Sequence, residues 1–116
     1  MRLLIHAVAT IVVIALASPA SATFYTYAQW SALPEYGRAM YIAGLYDGLV
    51  SIFRPEDHWI ASHYRQCIGD AKMTNGQLAE NIRAYASARP NLQGQPVTGA
   101  FIAYLIQLCG KPPQPN

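Results

Sequence analysis

The chain has 116 residues, with eight Lys/Arg and six Asp/Glu, and this length allows one domain at most. Arg2 lies in a segment that we expect to be removed, so seven Lys/Arg then face six Asp/Glu, a net charge of +1. Such an even balance argues against nucleic acid and against anionic membrane surfaces as partners.

Residues 1–22 have the order of features of a secretory signal peptide. Arg2 supplies the positive charge, residues 7–17 form an uncharged apolar run, and residues 20–22 give the small-x-small pattern that signal peptidase accepts. The apolar run is shorter than the roughly 20 residues of a membrane span, which makes a retained anchor the weaker interpretation. We therefore predict a soluble exported protein that begins at Thr23 and has no membrane contact after cleavage.

The only two cysteines, Cys67 and Cys109, predict one intramolecular disulfide. Export to an oxidising compartment favours disulfides, and a chain this small gains from one because its core is modest. Closing a loop of about 43 residues is worth roughly 4 kcal/mol in the chain-entropy description. Two free thiols and an intermolecular bridge are the alternatives.

The beginning of the exported chain, residues 24–33, is rich in aromatic side chains. Thr26 has the side chain of an N-cap for a helical turn over residues 27–32, which directs Trp30 and Leu33 at the core. A stacking platform for a sugar or peptide has a similar composition. We favour the packing of large side chains onto a small core.

Residues 34–53 predict an amphipathic helix that begins at Pro34. The apolar positions of this helix recur at helical spacing, at residues 41, 45, 48/49 and 52. Gly44 and Gly48 lie on the same face, and each costs a helix up to about 1 kcal/mol relative to alanine. We therefore expect another backbone, or the disulfide, to approach these glycines closely. Asp47 borders this face, either solvated or as a buried hydrogen-bond acceptor.

A second, short helix is predicted over residues 55–66, opening at Pro55 with the acidic pair Glu56-Asp57 in its first turn. Residues 68–73, after Cys67, predict an irregular connection.

Thr74 and Gln77 then have the spacing of a capping box, which opens a third long helix. Its apolar stripe is Leu78, Ile82, Tyr85 and Ala86. Pro90 ends this helix, and residues 91–95 form a polar loop.

Pro96 starts the final helix, and Gly110 caps it. The apolar stripe of this helix is Val97, Ala100, Phe101, Tyr104, Leu105 and Leu108. Residues 111–116, with three prolines, predict a disordered tail. No segment alternates like a strand, so the sequence predicts an all-α domain over residues 23–110: a compact bundle of four to five short helices with one disulfide.

No catalytic constellation is recognisable, and we predict no enzyme activity, cofactor or metal. His58 and His63 are five residues apart, whereas metal ligands on one helix face lie three or four apart. A metal or acid/base site that adds Asp57 or Asp70 is the alternative. The eight tyrosines, with few charges, also fit a protein-binding surface.

The order of these features resembles the Rap1a/Tai family of small exported proteins. The matching residues are Tyr41-x-x-Gly44-x-x-x-Gly48, Cys67, Thr74-Asn75-Gly76-Gln77, Tyr85, Pro90 and a final helix that ends at Cys109. The lead-in Trp30-x-x-Leu33 is also similar to members in which a short turn precedes the glycine helix. Together these pieces cover about three quarters of the exported chain.

The resemblance implies an all-helical periplasmic fold with a single disulfide. In characterised members it also implies an immunity protein, often a homodimer, that binds a type VI secretion amidase effector and blocks its active site. No toxin-contacting residues match position by position. Our prediction for a partner-binding surface is therefore the exposed loop, with residues Asn91, Leu92, Gln93 and Gln95.

We thus expect a periplasmic, non-enzymatic binding protein, with inhibition of a peptidoglycan amidase as its specific role. A small periplasmic stress chaperone, or a housekeeping helical domain with another partner, is the alternative. An enzyme or metal protein that uses His58 and His63 is the third hypothesis.

Overall fold

The computed structural model describes residues 24–114. The described chain contains five α-helices: α1 (Tyr27–Ser31), α2 (Glu35–Ser51), α3 (His58–Asp70), α4 (Asn75–Ser87) and α5 (Val97–Cys109). Its only strand-like feature is an isolated bridge between Thr26 and Pro96. The predicted all-α class is confirmed. The predicted signal peptide, residues 1–22, lies outside the described residues.

Two threonines begin helices as the sequence predicts. The Thr26 hydroxyl accepts from the Gln29 N–H, and the Gln29 side chain accepts from the Thr26 N–H, which completes a capping box. Thr74 and Gln77 make the same reciprocal pair at the start of α4. The first N–H groups of a helix have no partner within the helix, and each capping box supplies partners at this position. The two boxes therefore fix where α1 and α4 begin.

Helix α3 differs from the prediction at both ends. Residues Pro55–Asp57 form a separate 3-10 turn, and the α-helix runs from His58 to Asp70 instead of ending at 66. Because the helix continues to Asp70, Ile68 is buried on the same helix face as Ala61 and Tyr64. The helix stops where Lys72 takes a left-handed conformation, φ 51°. The irregular connection is thus shorter than predicted.

The core draws on all five helices. Its largest fully buried side chains are Trp30, Ile42, Ile82, Val97, Phe101 and Leu105. Helix α4 packs on both α2 and α5, and α3 closes against α2 and α5. The predicted stripe of α5 is correct except at Leu108, which is 39% exposed.

The aromatic N-terminal segment is part of this core. Trp30 is fully buried, and its indole N–H donates to the Arg38 carbonyl oxygen at 3.2 Å. The buried Tyr27 hydroxyl donates to the Arg83 carbonyl oxygen at 2.9 Å. Leu33 packs against the same cluster while partly exposed. The packing interpretation is therefore confirmed for Tyr27 and Trp30, whereas Phe24 and Tyr25 are exposed.

The disulfide forms within the chain, between Cys67 and Cys109. Cys67 lies in the last turn of α3 and Cys109 is the last residue of α5, with 5.7 Å between their Cα atoms. Neither cysteine is free. The bridge therefore joins the C-terminal ends of two helices that are separated in sequence by α4.

Candidate protein-binding groove

An apolar groove runs between α2 and α5, with a volume of about 330 Å³. One wall comes from four residues of α2 and its C-cap residue: Gly44, Leu45, Gly48, Leu49 and Ile52. The other wall comes from three residues of α5: Thr98, Phe101 and Ile102. None of these side chains carries a charge. The two helices that form the walls pack mainly on α4 and α3 rather than on each other, which leaves the space between them open.

Gly44 and Gly48 lie on the floor of this groove, which corrects the expected close approach. A Cβ atom placed at either glycine meets no described atom within 4 Å beyond its own helix. Neither the disulfide nor another backbone therefore lies against them within residues 24–114. The glycines leave open space at the surface instead of closing the core, because α2 and α5 pack on α3 and α4 rather than on each other.

Ile52 stands at one end of the groove and is 75% exposed. The sequence predicts it as the last member of a buried stripe. It is instead the C-cap of α2, and the chain leaves the helix for Arg54 and the turn at Pro55–Asp57. Exposure of a large apolar side chain beside an apolar groove is typical of interaction surfaces.

The predicted partner-binding loop is more firmly held than expected. Leu92 packs against the core, and the Gln93 side-chain amide donates to the Ala86 carbonyl oxygen at 2.8 Å. The Gln95 carbonyl oxygen accepts from the Tyr27 N–H at 2.9 Å. Only Asn91 and Gln95 have exposed side chains among the four predicted residues. Leu92 and Gln93 are half-buried, and a partner contact at this loop stays a prediction.

A polar cluster links α2 to α4. The Arg38 guanidinium donates to one oxygen of Glu80, from Nε at 3.0 Å and from Nη2 at 2.7 Å. Arg83 donates to the other oxygen at 3.3 Å. Hydrogen bonding from Arg38 lowers the pKa of Glu80 below its ordinary value, against partial desolvation, and Arg83 adds to the lowering. Sequence patterns gave no signal for this pair because its members are 42 residues apart.

A cleft of about 380 Å³ lies beside this cluster. Its lining residues are Tyr27, Ser31, Glu80, Arg83, Ala84, Ser87 and Gln93. Several of its polar groups are already engaged, since the Tyr27 hydroxyl, the Glu80 carboxylate and the Gln93 amide make the internal bonds above. Burial raises the pKa of Tyr27, so its hydroxyl stays a protonated donor to the Arg83 carbonyl. These contacts stabilise the fold.

His58 and His63 do not belong to a group of side chains that could bind a metal ion in the described part of the chain. Within residues 24–114, no group of three or more His, Cys, Asp or Glu residues is placed to hold a metal ion. His63 Nε2 lies 3.0 Å from the Gly110 carbonyl oxygen, so it connects α3 to the chain just beyond the disulfide. His58 borders a small cavity of about 180 Å³ with Arg65. Asp47 is exposed, which agrees with the first of its two predicted alternatives, a solvated side chain.

Among the helices of residues 24–114, none has both the length and the apolar character that crossing a membrane requires.

Comparison with known proteins found no matching family model, no matching curated protein and no matching solved structure. The resemblance to the Rap1a/Tai family therefore stays a prediction from the order of sequence motifs.

Proposed function

We propose that the protein acts in the periplasm by binding another protein, and that it performs no catalysis of its own. The observation that carries this proposal is the uncharged groove between α2 and α5, with Ile52 exposed at its end. Burial of apolar surface drives protein association. Covering a side chain such as Ile52 contributes about 1–2 kcal/mol, and the rest of the groove adds to this.

The specific partner that we propose is a peptidoglycan amidase effector. Support for it comes from the order of Tyr41, the two glycines, the cysteines and the Thr74 capping box, which resembles the Rap1a/Tai family. In this role the protein would be an immunity protein that blocks the amidase active site. The groove is the surface that we assign to the contact, in preference to residues 91–95.

The test is protection of cells that export an amidase effector encoded beside this gene. We expect the protein to restore growth and the Gly48→Leu variant to fail, because a leucine side chain fills the groove. Gly69→Leu, the same change at an exposed glycine of α3 that also has open space and does not line the groove, is the matched control and keeps protection. Protection by Gly48→Leu equal to that of the unchanged protein would refute the groove assignment, and no protection at all would refute the amidase role.

A periplasmic chaperone is the second candidate, since an uncharged apolar groove also accepts apolar segments of unfolded clients. A chaperone suppresses aggregation of many unrelated clients at substoichiometric to equal amounts. We expect no such suppression at either low or neutral pH, because the chain has few titratable groups with which to switch. Light scattering of a heated client protein measures this directly.

A further inference from the structure

The walls of the groove restrict the backbone of an occupant. Gly44 to Leu49 lie inside α2, and Thr98 to Ile102 lie inside α5. Helical walls present no row of unpaired N–H and C=O groups such as a sheet edge provides, so an extended segment gains no backbone hydrogen bonds from the groove. A helix satisfies its backbone internally and needs only side-chain contacts.

The glycines make room for such a helix. Packed helices approach to about 8–10 Å between axes, and the distance depends on the side chains at the contact. A Cβ placed at Gly44 or Gly48 meets no described atom within 4 Å, so another helix can approach α2 closely there. Ile52, one turn beyond Gly48, then contacts the side of the incoming helix.

The Asp47 carboxylate indicates one more feature of the occupant. The lining residues carry no charge, so the contacting face of the occupant is apolar. Asp47 is exposed and does not line the groove, but it lies three residues after Gly44 and is therefore its neighbour on the surface of α2. No ion pair of Asp47 occurs within residues 24–114. A basic side chain on the flank of the occupant complements this carboxylate.

We infer that the groove between α2 and α5 takes an amphipathic helix of the partner protein, with an apolar stripe against Gly44 and Gly48 and a Lys or Arg beside Asp47. This inference rests on the proposed function and adds the chemistry of the occupant.

The experiment is a selection from displayed 18-residue peptides on the folded, disulfide-bonded protein. One half of the library encodes apolar residues at i, i+3, i+4 and i+7 with Lys or Glu on the flanks; the other half has the same composition with a central proline. We expect helix-compatible clones with a flanking Lys to be enriched at least about tenfold over proline clones, since proline breaks a helix.

Substitutions then locate the binding of the selected peptides, measured by fluorescence anisotropy. Gly48→Leu weakens binding about tenfold or more by filling the groove. Asp47→Asn weakens it severalfold and reduces its dependence on salt. Asp70→Asn, which changes an exposed carboxylate on α3 outside the groove, is the control and leaves binding unchanged. Circular dichroism and melting curves establish that each variant is folded.

Two results overturn the inference in distinguishable ways. Enrichment of proline clones that still lose binding to Gly48→Leu means an extended occupant, which leaves the groove as the binding surface. Clones that bind Gly48→Leu as tightly as the unchanged protein, or no enrichment in either half, mean that the groove is not a docking site, and the groove assignment of the proposed function falls with it.

Discussion

Arg38 places most of its side chain beneath the surface, with 11% of it exposed, and its guanidinium meets Glu80 from α4. The same arginine donates through Nη1 to the Leu33 carbonyl oxygen, and its own carbonyl accepts from Trp30. One residue therefore connects α2, α4 and the segment that follows α1. Loss of the Glu80 carboxylate leaves a largely buried cation without its partner, which is costly.

We expect Glu80→Gln to lower the free energy of unfolding by about 1–2 kcal/mol at neutral pH, the lower part of the range for a charged pair, because Glu80 is 42% exposed and solvent screens it. The folded state lowers the pKa of Glu80, so the stabilisation is present above the ordinary glutamate pKa, about 4.3, and is lost as pH falls through the lower folded value. Urea unfolding from pH 7 to pH 3 should show a stability gap between wild type and Glu80→Gln that narrows below about pH 4.

Glu56→Gln is the control for this prediction. Glu56 pairs with Arg54 at 3.2 Å, and both side chains are more than half exposed. Exposed pairs contribute about 0–1 kcal/mol, so this variant should follow the wild-type curve. Equal effects of the two substitutions would contradict the role of Arg38 as a buried partner.

Lys72 ends α3 in a left-handed conformation, φ 51°, which a lysine adopts at a cost of about 1–2 kcal/mol. Glycine adopts it without that cost but loses more backbone entropy on folding. We expect Lys72→Gly to raise the free energy of unfolding by about 0.5–1 kcal/mol, measured by thermal or chemical unfolding. A decrease in stability would mean that the lysine side chain contributes more than its backbone costs.

At the scale of elements, replacing Gly48 or Gly110 by alanine should change the stability of the protein in opposite directions. Gly48 lies inside α2 with open space around it, so Gly48→Ala should stabilise the helix by up to about 1 kcal/mol. Gly110 follows α5 with φ 74° and ψ 172°, a region that only glycine occupies readily. Gly110→Ala should therefore destabilise by about 1–3 kcal/mol.

The comparison of these two alanine variants by chemical unfolding tests the open floor of the groove. A destabilising Gly48→Ala would mean that the groove is closed in solution. If both variants are stabilising, the backbone at Gly110 does not have the conformation described.

Local patterns were sufficient to predict much of each element. The capping box at Thr74 depends on residues three apart, and the cap at Gly110 depends on one residue, so both could be read from neighbours in sequence. The end of α3 was predicted too early because burial of Ile68 against other helices extends it. Tertiary contact decided that boundary.

At the scale of the whole molecule, the site could not be predicted from sequence. The spacing of Gly44 and Gly48 indicated that their face was special, but it did not tell whether the space above them is filled or open. That depends on where α2 and α5 are placed by their packing on α3 and α4, which involves residues far apart in sequence. Likewise, no pattern joins Arg38 to Glu80.

The disulfide acts at this same scale, since it joins the C-terminal ends of α3 and α5. We expect the double variant Cys67→Ala/Cys109→Ala to unfold with a free energy lower by about 2–5 kcal/mol. Urea unfolding with and without reductant measures it, and reductant should affect only the unchanged protein. Mass spectrometry without reductant should find both cysteines in one linked peptide pair; free thiols in exported material would contradict this.

The central claim is that a protein partner binds at the groove between α2 and α5. The most direct measurement is photocrosslinking in the producing cells, with a photoreactive residue placed at Ile52 in the groove, at Asn91 in the loop, or at the exposed Phe24. We predict that one protein is crosslinked from position 52 and that Gly48→Leu abolishes this product, while positions 91 and 24 give little of it. Equal crosslinking from all three positions, or a product from position 52 that persists in Gly48→Leu, would contradict the claim.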